Sequence, residues 1–582
     1  MNEMNLQLLN MHYYVSIPHP ATHMVKVRLE IDNWQEKSLT LILPVWTPGS
    51  YLIREYARHI QSFSAQCAVT NQSLSTKKIT KNSWLIDNID NHKIIIDYEI
   101  YANDLTVRTN HVDSTHAFLT GAALFFYIPA YEHNAIAVTI IPPTPDWQIV
   151  TALPPLDNQK NTFLADNFDT LVDSPWEIGI HQKYDFEVDN KAHQWVIWGQ
   201  GNLEIDRLIE DTQKIIKMES QMLGGLPYEQ YFFLLHLSAS GFGGLEHKNC
   251  CVLNYPRFGF KNQEKYNRFI QLVAHEFFHL WNVKRIRPQA LEKFDYQQEN
   301  YTTSLWFSEG TTSYYDLIIP LRSGIYDRQE FLSLLGKEIT QYLNTEGRNI
   351  QTLAESSFDA WIKLYRRDAY SNNCQISYYL KGELVTLLLD LLIRNNTDNN
   401  KCFDDVMRAM WHKFGKDEIG FSPEELIDEI EAVANLDLSE FFHLYLETTT
   451  ELPFNQYFEP FGLVLEPESA ETTIPYLGIT AQDKNITFVD ANSPAGQAGI
   501  DAGDELLAID NFRVTGETLN ERLENYQAGN MITITIFHQE ELITKEVKLG
   551  VPQPASYQVK IIDNPTTKQQ ENLNKWLYSL EN

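Results

Sequence analysis

From residue 12 to about 170, apolar and polar positions trade places in short runs. MVKVRLEI (24–31), KSLTLILPV (37–45), HKIIIDYEIYA (92–102) and NAIAVTIIPP (134–143) are rich in β-branched and aromatic residues, and Pro, Gly, Asn and Asp separate them. A period of two turns one side of a strand to a core and the other to solvent, which predicts an antiparallel β domain. One stretch interrupts it: VWTPGSYLIREYARHI (45–60) has a Pro-Gly turn and a density of Arg and Tyr unusual for a connection, although packing around a loop accounts for it.

Near residue 205 the period lengthens. DRLIEDTQKIIKMESQMLG (206–224) reads as a helix closed by Gly-Gly, and YFFLLHLSA (231–239) as a strand running into a glycine-rich turn. Helical patterns follow at 265–286, 304–324, 327–344, 376–395, 402–415 and 422–435, the last opened by a Ser N-cap followed by Pro and Glu. A third texture begins near 452, with short strands, a Ser-Pro-Ala-Gly turn, a compact helix at 516–529 and the strand run MITITIFHQEELITKEVKL (531–549).

These textures predict a multidomain α+β chain. Its parts are an N-terminal β-rich domain (1–170), a mostly helical domain (171–450), a small β module (451–557) and a polar tail with one short helix (558–582).

Composition narrows the function. Against 77 Asp and Glu stand 46 Lys and Arg, a net charge of -31, and the one basic cluster, Lys284, Arg285 and Arg287, is too short for a phosphate-binding stripe. Nucleic acid is therefore not expected as a partner. The opening MNEMNLQLLNMHYYV has no charged n-region followed by an apolar core, and no run approaches 18 apolar residues, so neither a leader nor a membrane span is expected. The five cysteines, Cys67, Cys250, Cys251, Cys374 and Cys402, are scattered without a CxxC pair, the usage of a reducing, cytoplasmic compartment.

The candidate chemistry lies in LVAHEFFHLWNVKRIRP (272–288). Phe269, Ile270, Val273, Phe277, Leu280 and Trp281 mark a largely buried helix, on which His275 and His279 share one face a turn apart. Two imidazoles so spaced can take two corners of a tetrahedral zinc site, and Glu276 can hold a metal-bound water and take its proton. Two satisfied core histidines would give the same pattern. A third ligand is required, and Glu309 in WFSEGTTSYY (306–315) is a carboxylate in otherwise uncharged surroundings, costly there unless paired or coordinating; spacing alone does not choose. Upstream, SASGFGGLEHKN (238–249) sets Gly241, Gly243 and Gly244 before Glu246, where backbone can approach a ligand closely and a carboxylate can receive an ammonium group. The basic run after HEFFH meets the helix C-terminus, and Pro288 is expected to stop the helix.

Together, WTPGSYLIREYARHI, GGLEHKN, HEFFHLWNVKRIRP, WFSEGTTSYY, and YLGI with SPAGQAGIDAGDELLAID resemble the zinc aminopeptidases of the glycyl aminopeptidase type. These carry a C-terminal PDZ domain and are distant relatives of aminopeptidase N. The resemblance spans nearly the whole chain. It implies a thermolysin-like catalytic domain at 171–450, one zinc per chain on His275, His279 and Glu309, and Glu276 as general base. GGLEH aligns with the GxMEN segment of the relatives, which makes Glu246, with Gly243 and Gly244, the binder of the substrate's free α-amine; Leu245 and His247 depart from that pattern. YYLKG (378–382) aligns with their YEKG segment, departing at Leu380, and implies Tyr379 as oxyanion donor. Tyr476, Leu477, Gly478 and Ile479 match the PDZ loop that cradles a peptide C-terminus.

The resemblance thus implies removal of small N-terminal residues such as Gly or Ala from peptides with a free N-terminus. Two other readings stay open: a zinc endopeptidase or other metallohydrolase on the same scaffold, and a non-catalytic adaptor working through the PDZ-like groove.

Overall fold

The computed structural model describes residues 9–89, 93–468 and 474–578. The first eight residues, part of the stretch that bears on a leader, lie outside that range. By internal contacts the chain divides into two compact units, Met1–Tyr301 with Trp411–Phe421, and Thr302–Met410 with Ser422–Asn582. None of the described helices is long and apolar enough to cross a membrane.

The first unit begins with the expected alternation. Met24–Asp32 buries every second side chain, as does Ile94–Tyr101, and the two pair antiparallel in a six-stranded sheet with Ile60–Cys67, Asn10–Ser16, Ile136–Ile141 and Thr162–Ala165. One pair departs from the antiparallel expectation: Asn10–Ser16 lies parallel to Ile136–Ile141. Parallel neighbours need a long crossover, and here nearly the whole β-rich region supplies it. Tyr13, Val27, Ile96, Tyr98 and Val138 lie in one buried cluster on this sheet.

The same unit carries a second, mixed sheet that brings the chemistry together. Its order is Gln182–Val188, Lys191–Trp198, Gln230–Ser238, Cys250–Pro256, Gly243–Glu246, with the last pair antiparallel. The helices Ile205–Leu223 and Gln263–Phe278 belong to this unit too and touch one another. The region from 171 onward is therefore not helical throughout.

The second unit is helix-rich first and mixed later. Thr311–Arg322, Arg328–Leu343, Tyr378–Asn396 and Pro423–Ala434 fall where periodicity places helices, and Ser422 caps the last with a reciprocal bond to Glu425. Beyond 462 lies a mixed β/α region whose main sheet runs Ile479–Gln482, Asn485–Val489, Glu505–Ile509, Met531–His538, Glu541–Lys548. The compact helix expected over 516–529 is a single 3-10 turn and Leu519–Leu523. The segment expected as a polar tail carries a strand, Tyr557–Ile561, paired with Leu463–Pro467, and the helix Thr567–Leu577. Trp576 is fully buried there and donates to Tyr314 Oη at 3.0 Å. A polar composition hid this because Leu573, Trp576 and Leu577 alone make the apolar stripe.

Candidate active site

Asn262 caps the helix Gln263–Phe278 by accepting from Lys265 N, and Phe269, Ile270, Val273 and Phe277 bury its inner face. The regular helix ends at Phe278, eight residues short of the expected 286 and well before Pro288. His279 retains helical backbone angles, so the four-residue offset from His275 survives; the two rings lie 4.6 Å apart at 86°. His279 Nδ1 sits 2.8 Å from the Asn282 carbonyl. A carbonyl only accepts, so Nδ1 carries the proton and Nε2 keeps its lone pair, the form a metal requires.

The chain turns sharply after these histidines. Val283 has φ +90°, a costly conformation for a β-branched residue and one usually imposed by its surroundings. Arg285 donates to the Leu280 carbonyl at 2.8 Å and to Pro227 O at 3.2 Å, while Lys284 pairs with Asp173 at 2.6 Å and Arg287 with Glu418 at 3.0 Å. The basic run is thus spent on carbonyls at the helix end and on ion pairs, which also explains why the helix stops without Pro288.

Glu276 and Glu246 are both buried, at 5% and 4% exposure. The strand Gly243–Glu246 is tied down by Arg108, whose Nη2 donates to Gly244 O at 3.0 Å. Gly244 lies so close to the Glu276 carboxyl that a methyl group there would overlap it. Glu246 Oε1 has no hydrogen-bond partner among the described residues. A buried carboxylate oxygen left open this way is costly unless something cationic or donating comes to it.

Around Glu246 lies a cavity of about 20 Å³, lined by Trp46, Gly49, Tyr51, Val283, Lys284 and Phe294 among others. The WTPGSY loop is therefore a wall of this site rather than a remote connection. His247, the departure from the relatives' pattern, turns to Asp173: Nδ1 is 3.3 Å from Oδ1, and Lys248 N donates to Oδ2 at 2.7 Å. Asp173 stays ionised although burial opposes it, because Lys284 and His247 hold its carboxyl well below the usual range. Cys250 and Cys251 are buried on the neighbouring strand, and burial pushes both thiols up and keeps them inert. Glu219, fully buried on Ile205–Leu223, is raised by burial while His275 draws it the other way.

In the second unit Glu309 is 1% exposed in a π-helical turn, Trp306–Gly310, an irregularity frequent at functional sites. Behind it, the helix Tyr378–Asn396 approaches so closely that a Cβ on Gly310 would meet Gly382 Cα at 2.5 Å. Tyr379 is on that helix. Its phenol is pushed well above its ordinary value, first by burial and then by the Glu309 carboxylate, so it remains a proton donor at neutral pH. Tyr365 Oη lies 3.0 Å from Tyr379 Oη and 3.4 Å from Tyr378 Oη.

His275, His279 and Glu309 each offer one ligand atom, and these atoms lie within 4.8 Å of one another. Two imidazoles and a carboxylate are the donor set of an open zinc site. Sequence reasoning missed Arg108 on Gly244, Asp173 on His247, Gly49 against Glu246 and buried Glu219 in the first unit, and Tyr365 on Tyr379 in the second. Only Gly49, inside an unusually dense motif, left a sequence signal.

Comparison with known proteins places the chain among peptidases. The model of the M61 glycyl aminopeptidases matches residues 268–385, and that of the peptidase M61 N-terminal domain matches residues 12–180. A solved aminopeptidase N family protein from Idiomarina loihiensis is 30% identical, covers 97% of this chain and all of its own, and superposes with a TM-score of 0.90. The chain belongs to the M61 glycyl aminopeptidase family. An M1 zinc metallopeptidase from Deinococcus radiodurans is a distant likeness, with 12% identity, 77% of this chain and 96% of its own covered, and a TM-score of 0.47. No curated protein sequence matches the chain. Family membership and the His/Glu cluster together support a zinc-dependent peptidase acting on small N-terminal residues.

Proposed function

We propose that this M61 peptidase is an aminopeptidase that binds the free α-amine of a peptide on Glu246 and hydrolyses the first peptide bond beside Glu276. The observation that carries the proposal is Glu246 itself: a buried carboxylate with an open oxygen, on the strand whose Gly244 lies against the Glu276 carboxyl. An amine anchor next to the base holds the terminal bond in reach and rejects chain interiors.

In this reading His275, His279 and Glu309 hold one catalytic zinc, which when bound polarises the scissile carbonyl and acidifies water. Glu276 accepts the proton of the attacking water and delivers it to the leaving amine. His279 is oriented by Asn282 O, and Glu309 by the π turn that holds it. Tyr379 donates to the oxyanion, and Tyr365 steadies its hydroxyl. The match to the M61 glycyl aminopeptidases supports small first residues, glycine and alanine.

The C-terminal module is proposed as PDZ-like. Tyr476, Leu477, Gly478 and Ile479 line a groove with Phe488, Leu519 and Leu523, and Ile479–Gln482 is an edge strand of the main sheet. An edge strand beside a groove that mixes apolar and polar side chains suits an added peptide strand and its C-terminus. A reducing compartment fits the unpaired cysteines.

The deciding experiment is a panel of aminoacyl reporter substrates, each with a free and an acetylated N-terminus. Cleavage of free glycyl and alanyl substrates with loss on acetylation supports the proposal. Equal cleavage of the acetylated forms gives the site to an endopeptidase, and no cleavage with zinc bound gives the chain to a non-catalytic role.

A further inference from the structure

The first unit contains another set of buried ligating side chains. His116 is on the strand His116–Leu119, Glu177 on Trp176–Gly179 and His236 on Gln230–Ser238. All three are at most 1% exposed, and one ligand atom from each lies within 4.8 Å of the others. Glu177 stands between the rings: Oε2 is 2.9 Å from His236 Nε2, and Oε1 is 2.8 Å from His116 Nε2.

The second of these contacts is not a good hydrogen bond. His116 Nε2 and Glu177 Oε1 have no properly aligned partner despite their short separation, and neither has the other ring nitrogen of His116 or of His236. The two atoms are thus close together, with neither satisfied by the other. His181 is beside them, its Nδ1 4.0 Å from Glu177 Oε1, and both of its nitrogens lack a partner as well. Leaving so many buried polar atoms unpaired is expensive, and an ion would satisfy several at once.

We infer that His116, Glu177 and His236 form a second metal site, closed and structural, selective for a borderline divalent cation such as zinc, with His181 available as a fourth donor. Imidazole with carboxylate is a zinc donor set, and full burial without an open face is the mark of a structural rather than a catalytic site. Two tetrahedral ligands about 2.0–2.1 Å from zinc stand about 3.3 Å apart, so opening the 2.8 Å contact by about half an ångström admits the ion. Its mechanical effect follows from the strands. His116 and Glu177 belong to a four-stranded sheet of the N-terminal region, His236 to the mixed sheet that carries Glu246, and the ion would fasten one to the other. His116 already stacks on Trp198 of that mixed sheet, with centroids 4.2 Å apart.

The test is metal content of the full-length chain, loaded with zinc, dialysed against metal-free buffer and measured by elemental mass spectrometry. Wild type is expected to hold about two zinc ions per chain. His275→Ala/His279→Ala, which leaves the second cluster intact, is expected to hold about one, to show a tetrahedral cobalt(II) spectrum after substitution, and to lose thermal stability when that ion is chelated. His236→Gln is expected to drop wild type from two ions to one while hydrolysis persists. A double-histidine variant that is folded and metal-free overturns the proposal even where His236→Gln fails to fold, as does wild type saturating at one ion.

Discussion

Gly244 has no side chain because the Glu276 carboxyl occupies the space a methyl group would fill. The glycine-rich strand and the helix of the two histidines are fitted to each other at that point. Gly244→Ala is therefore expected to push the Glu276 carboxyl aside. The group that yields is the end of a flexible chain, so stability changes little, whereas a displacement near 1 Å at a reacting group costs about 100-fold in rate. Measured kcat should fall by about that factor with zinc content unchanged. Loss of zinc with loss of activity would instead place the fault in the fold.

The other carboxylate has a similar neighbour. Gly49, at φ +82°, comes so near Glu246 that a Cβ would lie 2.6 Å from Oε2. Glu246→Gln keeps the shape and removes the charge. Charge-assisted bonds contribute about 1.5–3 kcal/mol, so kcat/KM for free-amine substrates should fall about 10- to 150-fold. The low residual rate on acetylated substrates should fall no further, and an equal proportional loss on both would remove Glu246 from amine recognition. Gly49→Ala should weaken binding in the same direction, through KM.

Much of the fold could be read along the chain because its signals are local. Met24–Asp32 alternates over nine residues and the Ser422 cap lies within four of its partner, so each can be seen without the rest of the molecule. Asp173 cannot. Its partners are 111 residues away at Lys284 and 74 away at His247, and nothing near it in the chain announces either. The same holds for Tyr365 beside Tyr379, and for the parallel pairing of Asn10–Ser16 with Ile136–Ile141. HEFFH could be read because both histidines share one helix end. The early end of that helix could not, since it depends on Arg285 reaching the Leu280 and Pro227 carbonyls.

Tyr379→Phe removes one hydroxyl from a buried position. As the loss of an oxyanion donor it should lower kcat by about 100- to 1,000-fold while zinc is retained. The phenol is held protonated by burial and by Glu309, so wild type should show no loss of activity from Tyr379 ionisation below pH 10. Tyr365→Phe should give a smaller decrease, because the Tyr379 hydroxyl stays in place and loses only a neighbour. Unchanged kcat in Tyr379→Phe would assign the oxyanion to another donor.

Lys381 provides a prediction about stability rather than rate. It is fully buried on the helix Tyr378–Asn396, its Nζ has no hydrogen-bond partner among the described residues, and burial lowers its pKa from 10.5 to about 8 against the pull of Glu451. The unfolded chain binds this proton more tightly than the folded one. The folded state therefore carries a penalty that is complete below pH 8, relieved as pH rises from 8 to 10.5, and absent above; the full shift corresponds to about 3 kcal/mol. Lys381→Met replaces the ammonium with an apolar chain of similar length. Its Tm should exceed that of wild type at pH 7, and the gap should close as pH approaches 10. A constant gap from pH 7 to 10 would trace the gain to packing, and a variant less stable at pH 7 would mean that the ammonium has a partner worth more than its burial costs.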